Sequence, residues 1–166
     1  AMYHRLGHEG EFRPRAQVEE DEGWRQIIPY AVIQRGGELL VVERLEAGSE
    51  ARLHRRLSLG LGGHISPIDT EGAGDVIEVA LNRELREELY IGAFFAEAVG
   101  LIHRADDPVS RVHTGVLYRV RSPGPVRVRE TTKLAGGFAS AEEIGNRFDQ
   151  LEAWSQAALR FLKPWL

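Results

Sequence analysis

Arg83-Glu84-Leu85-Arg86-Glu87-Glu88-Leu89-Tyr90-Ile91 is the stretch whose reading decides the fold. On a helix its glutamates fall at offsets 0, 3 and 4, so Glu84, Glu87 and Glu88 project from one face within reach of one another. Like charges that close repel. They are tolerable fanned out into water or gathered around a cation, and hard divalent ions with oxygen ligands suit such a cluster. The opposite face carries Ile77, Leu81, Leu85 and Leu89 at steps of four, with Val76 and Ala80 beside them, so the helix packs inward by that side. Taken alone, an Arg/Glu-rich helix reads as a solvated face laced with i,i+4 pairs. Here the strand-like Leu57-Ser58-Leu59 and the pair Gly62-Gly63 precede it, where absent side chains let the backbone approach a ligand closely. The order and spacing of the two features together favour a site.

Working outward, residues 27–33 and 38–43 read as two strands joined at Gly36-Gly37, a hairpin signal. Residues 98–103 and 112–120 read as two more, with Asp106-Asp107-Pro108 marking the turn between them. Ser140 and Glu143 stand at capping-box spacing and open a short helix. Leu151, Trp154, Ala158 and Phe161 suggest an amphipathic helix near the C-terminus. Strands followed by helices, with the acidic helix between, predict an α/β fold in which a mixed sheet is covered on both faces.

The acidic stretch resembles the signature of the Nudix hydrolases: a glycine, five residues, Glu, seven residues, then Arg-Glu-aliphatic-x-Glu-Glu-x-Gly-aliphatic. Asp75 lies eight positions before Arg83, where the isolated acid is expected, and Leu85 and Ile91 fill the aliphatic slots. Three departures stand out. The acid is Asp, the late glycine is Tyr90, and eleven residues separate Gly63 from Asp75. Residues 58–65, with 26–30 upstream, resemble a branch of the family described only as phosphoesterases. Asp75 reads equally as a metal ligand reaching through water or as a helix N-cap, since Glu78 stands three residues on. With Tyr90 in place of the glycine that would allow a left-handed stop, the helix is expected to run on to Gly92. The residues from His64 to Gly74 read as an elongated surface loop whose middle, 67–72, is free to vary.

The resemblance implies a Nudix-type α/β/α sandwich over one domain, residues 1–166, with the box at 62–91 and an N-terminal extension over about 1–25. It also implies a Mg²⁺- or Mn²⁺-dependent hydrolase acting on a small-molecule nucleotide or other diphosphate, and leaves room for a homodimer. Glu87, Glu88 and the Gly62 carbonyl would be ligands, Glu84 a ligand, a water-mediated ligand or a base, and Arg83 the group that orients the carboxylates. Glu130 is a second candidate base, and reads equally as an exposed loop acid. Gly63, His64 and Arg52 are candidate substrate contacts, with an ordinary surface reading open for Arg52. His103 and His113 fall in strand-like segments and read as structural. An alternative is a sensor module that keeps metal and nucleotide binding without turnover. The isomerase that shares this scaffold is disfavoured, because its active-site cysteine has no counterpart here.

Composition agrees with a compact enzyme. The chain has 166 residues, 43% of them hydrophobic, enough for a substantial core. No apolar run approaches the length of a membrane span. The lack of cysteine excludes disulfides and thiolate ligands and suggests the cytoplasm. A net charge of −4 argues against a nucleic-acid polymer as partner. Glu19-Glu20-Asp21-Glu22 reads as a solvated loop.

Overall fold

The computed structural model describes residues 2–45, 56–129 and 131–166. Two short helices, α1 (Met2–Glu9) and α2 (Arg15–Val18), precede the sheet. Strands β1 (Gln26–Arg35) and β2 (Glu38–Arg44) form the expected hairpin across Gly36-Gly37. The two strands are paired only near the turn, where Gln34 faces Leu39 and Arg35 faces Glu38. Farther along, β4 (Gly60–Leu61) takes the vacated edge of β1 beside Ala31 and Val32, while β3 (Leu57–Ser58) stays on β2. Beyond β4 the chain continues into Gly62 and Gly63, which are half-buried.

On its other edge β1 runs parallel to β7 (His113–Arg121), which pairs antiparallel with β6 (Phe95–Ile102) through an irregularity between Ala98 and Gly100. Strand β9 (Leu134–Ser140) completes a seven-stranded mixed sheet against β2. The expected strands at 98–103 and 112–120 are therefore present. Short helix α4 (Pro108–Arg111) fills the turn between them, capped by Asp107.

The long acidic helix is α3 (Val76–Glu88). Its Ile77, Leu81 and Leu85, with Leu89 just beyond, are wholly buried in one cluster with Ala31, Ile33, Leu40, Val42, Val116 and Tyr118. The other face of the sheet is covered by α5 (Ala141–Gly145) and α6 (Ala153–Leu162), through Ile144, Ala158, Leu159 and Leu162. The Ser140/Glu143 capping box opens α5 as expected. In α6 the buried stripe differs by one turn position, since Leu159 and Leu162 are inside whereas Phe161 is 47% exposed. Helices on both faces of a mixed sheet make the α/β/α sandwich that the motif implied.

The end of α3 departs from expectation. The helix stops at Glu88, and Leu89 takes an extended conformation (φ −126°, ψ 147°), leading into β5 (Leu89–Ile91) rather than on to Gly92. β5 pairs with β8 (Val126–Val128), and its alternation places Leu89 and Ile91 inside and Tyr90 outside. A chain that leaves a helix directly into a strand needs no left-handed residue, so Tyr90 can replace the usual glycine. Its ring lies under the guanidinium groups of Arg129 and Arg127, at 4.5 and 5.7 Å from the centroid.

Candidate active site

The glycine pair and the acidic helix meet closely. A Cβ placed on Gly63 would stand 2.5 Å from Cδ and Oε1 of Glu84, and one on Gly62 would stand 1.8 Å from the carbonyl oxygen of Pro29. Gly62 faces backbone and admits no side chain, and a side chain on Gly63 would have to displace the Glu84 carboxylate, over which the backbone here passes. That carboxylate is mostly buried, with 15% of the side chain exposed, whereas Glu87 one turn on is 57% exposed. Burial pushes the Glu84 pKa up, and Glu87 and Asp69 push the same way by repulsion. Only the Arg83 guanidinium pulls it down.

Arg83 organises the site. Its Nε and Nη2 donate to Asp69 Oδ1 and Oδ2 at 2.8 and 2.9 Å, a bidentate pair. Nη2 also donates to the His64 carbonyl at 3.0 Å, and Nη1 to Glu84 Oε1 at 2.7 Å, with Glu87 Oε1 at 3.5 Å. The guanidinium is thus braced between one buried acid and the acidic face of α3.

Asp69 was not singled out in the sequence, and the structure corrects the reading of the motif. It lies six positions after Gly63, the spacing the family pattern requires from its glycine, so the extra residues fall between Asp69 and Arg83. Only 2% of its side chain is exposed, and the Arg83 bonds hold its carboxyl below the usual range despite that burial, helped by the Ser66 N–H at 2.7 Å. Ser66 and Asp69 form a capping box on a single 3₁₀ segment, Pro67–Glu71. The stretch expected to be free to vary is therefore part of the site's frame. Counting from the glycine, rather than backwards from Arg83, was the signal that could have found it.

Asp75 takes the cap. Its Oδ1 accepts the Ile77 N–H at 2.9 Å, and its other oxygen packs toward Gly7 of α1. At 1.5 Å of rise per residue it stands roughly 13.5 Å along the helix from Glu84. Among the other candidates, His64 lies beside the pair, its Nε2 3.2 Å from Nε2 of His113, whose Nδ1 donates to the Val109 carbonyl at 2.8 Å. His103 Nδ1 meets Thr114 Oγ1 at 3.3 Å, the structural role expected of it. Glu130 and Arg52 lie outside the described residues.

A hard cation suits the donors available here. Glu84, Glu87, Glu88 and the backbone of the glycine pair offer only oxygen, and positive charge would relieve the burial and repulsion felt by Glu84. Among the described residues, however, no group of three or more His, Asp or Glu is already drawn together at ligand distance. Arg83 holds the Glu84 carboxylate directly and keeps Glu87 nearby.

Comparison with known proteins fits this geometry. No protein-family model matches the chain. Protein YmaB of Bacillus subtilis is 39% identical over 159 residues, spanning 90% of this chain and 76% of YmaB. The crystal structure of Tm1382, named as a candidate Nudix hydrolase, is 30% identical and superposes with a TM-score of 0.82 over 99% of this chain and 84% of its own. A bifunctional NMN adenylyltransferase/ADP ribose pyrophosphatase of Francisella tularensis, complexed with AMP and a Mn ion, shares the fold at 16% identity. Its TM-score is 0.61 over 98% of this chain and 45% of its own. A glycine pair set against an arginine-braced acidic helix, on an α/β/α sandwich, is the arrangement that the Nudix signature implied. The chain belongs to the Nudix hydrolases.

Proposed function

We propose that this protein is a Mg²⁺- or Mn²⁺-dependent hydrolase that cleaves a phosphoanhydride bond of a nucleoside diphosphate derivative or a related pyrophosphate compound. The observation that carries the reading is the confinement of Glu84 between the Gly63 backbone and Arg83, on the helix face that also bears Glu87 and Glu88. The fold alone would not suffice, since one scaffold hosts many activities.

Glu87, Glu88 and the Gly62 carbonyl would hold the ion. When bound, it would neutralise charge on the non-bridging oxygens of the anhydride and acidify the attacking water. Arg83 is a positioning residue, since its donors are committed to Asp69, His64 and Glu84. Glu84 either completes the ligand set or accepts the proton of water. Its burial, which raises its affinity for a proton, suits the second role. Gly63 and His64 line the adjoining cavity, and the Gly63 backbone and the His64 ring would meet a phosphate.

The test is hydrolysis of a panel of nucleoside diphosphate derivatives with Mg²⁺ or Mn²⁺, with identification of both products, because the products show which bond broke. Metal-dependent turnover that disappears in Glu87→Gln/Glu88→Gln is expected. Metal and nucleotide binding without turnover across the panel would sink the hydrolase and leave a sensor module.

A further inference from the structure

A cavity of about 450 Å³ opens beside the glycine pair, within the size range of small-molecule sites. Its wall runs from Gly62 and His64 past Tyr30 and Trp154 to Arg44 at the end of β2. Most polar groups on that wall are satisfied from within the protein. Glu152 accepts the Trp154 and Ser155 N–H groups, each at 2.8 Å, and the Tyr30 hydroxyl at 2.5 Å. Asp107 accepts from the Val109 and Ser110 N–H groups at 3.0 and 2.9 Å and from the Ser110 hydroxyl, and that hydroxyl oxygen in turn accepts the Trp154 indole N–H at 3.1 Å. Arg15 is paired with Glu19.

Arg44 is different. It is half-buried, and its Nε is shielded from solvent with no hydrogen-bond acceptor among the described residues. That Nε is closed to a ligand as it is to water, but the arginine fork carries four further N–H groups, and Arg44 forms no ion pair among the described residues, so an oxyanion in the cavity would give its charge a partner. We propose that this cavity seats the part of the substrate remote from the scissile anhydride, and that Arg44 pairs there with a second anionic group, phosphate or carboxylate. The preferred substrate then carries negative charge beyond its diphosphate. The planar fork of arginine accepts either oxyanion. Tyr30 and Trp154, edge to face at 5.5 Å, supply apolar wall for a sugar or base. This inference rests on placing hydrolysis at the glycine pair and Glu84.

Calorimetry in EDTA tests it without metal or turnover. The probes are AMP, adenosine 3′,5′-bisphosphate and adenylosuccinate, which add nothing, a second phosphate, or carboxylates to one nucleotide. The wild-type chain should bind one of the two-anion probes about tenfold to a hundredfold more tightly than AMP. Arg44→Gln should lose that gain with AMP binding unchanged, and Arg44→Lys should keep part of it. The probe that gains identifies the anion. A gain that survives in Arg44→Gln, or no gain for either probe, overturns the proposal. Equal weakening of all three, AMP included, overturns it too, by placing Arg44 on a phosphate common to every substrate. A melting curve for each variant confirms folding. Turnover in the substrate panel is independent of these outcomes, so hydrolysis and the second anion can fail separately.

Discussion

Replacing Asp69 by Asn probes the frame of the site and its alignment at once. The carboxylate is 2% exposed and meets Arg83 through two bonds of 2.8 and 2.9 Å. Breaking a buried, hydrogen-bonded ion pair costs about 3–5 kcal/mol. Arg83 is 26% exposed and keeps Glu84, so solvent and the remaining acid recover part of this, leaving about 2–3 kcal/mol. For a chain of this length that loss lowers Tm by roughly 5–10 °C. The pH dependence has a definite sign. A carboxyl whose pKa is depressed by folding contributes stability that is present above its unfolded value of about 3.9 and lost as pH falls through the lower folded value. The gap between wild type and Asp69→Asn should therefore narrow in acid. Released from Asp69, Arg83 is free to engage Glu84 and Glu87 more fully and compete with a cation, so the rise in Tm produced by Mn²⁺ should shrink as well. Asp75→Asn is the control. Asn caps helices about as well as Asp, so stability and the metal response should stay near wild type. Urea unfolding and melting curves with and without Mn²⁺ measure all of this. An Asp69→Asn protein as stable as wild type, or an Asp75→Asn protein that loses the metal response, would refute the assignment.

Four further variants have expected outcomes. Glu87→Gln/Glu88→Gln should remove the Mn²⁺-dependent rise in Tm while leaving the metal-free melting curve cooperative; an unchanged rise would move the metal site off α3. Glu84→Gln should make the metal-free protein more stable at neutral pH, because a carboxyl whose pKa is raised by folding destabilises the native state increasingly as pH rises from its unfolded to its folded value. The same variant should lose activity, with rescue at high Mn²⁺ if Glu84 is a ligand and none if it is the base, as saturation kinetics would show. Gly63→Ala should cost about 1–3 kcal/mol and most of the activity, since the methyl group meets the Glu84 carboxylate at 2.5 Å, and an active, fully stable variant would contradict the close approach. Tyr90→Gly, which restores the family glycine, should destabilise by about 1–2 kcal/mol in urea through loss of strand propensity and of the Arg129 contact, with kcat little changed.

Much of this protein was legible in one dimension because its elements are strongly periodic. The four-residue steps of Ile77, Leu81, Leu85 and Leu89 determined both that a helix forms and which side it buries. The acids do not all lie opposite that side: at about 100° per residue Glu84 and Glu88 flank the buried stripe, the Glu84 side chain is 15% exposed and one Glu88 oxygen is shielded from solvent, and only Glu87 points outward. The hairpin at Gly36-Gly37 and the capping box at Ser140 depend on neighbours in sequence and were equally readable. Partners distant in sequence and chosen by packing were not. Leu89 serves a helical or an extended stop equally well, and only pairing with β8, some 37 residues on, made Leu89–Ile91 a strand and removed the need for a glycine. Asp69 and Asp75 are both acids before the same helix. The sequence could rank them by spacing alone, whereas the fold distinguishes them by burial, placing one carboxylate in the fork of Arg83 and the other on the first turn of α3. Arg44 has no local signature at all, because its significance comes from a cavity built by β1, the glycine pair and α6, whose walls meet only when the sheet has formed.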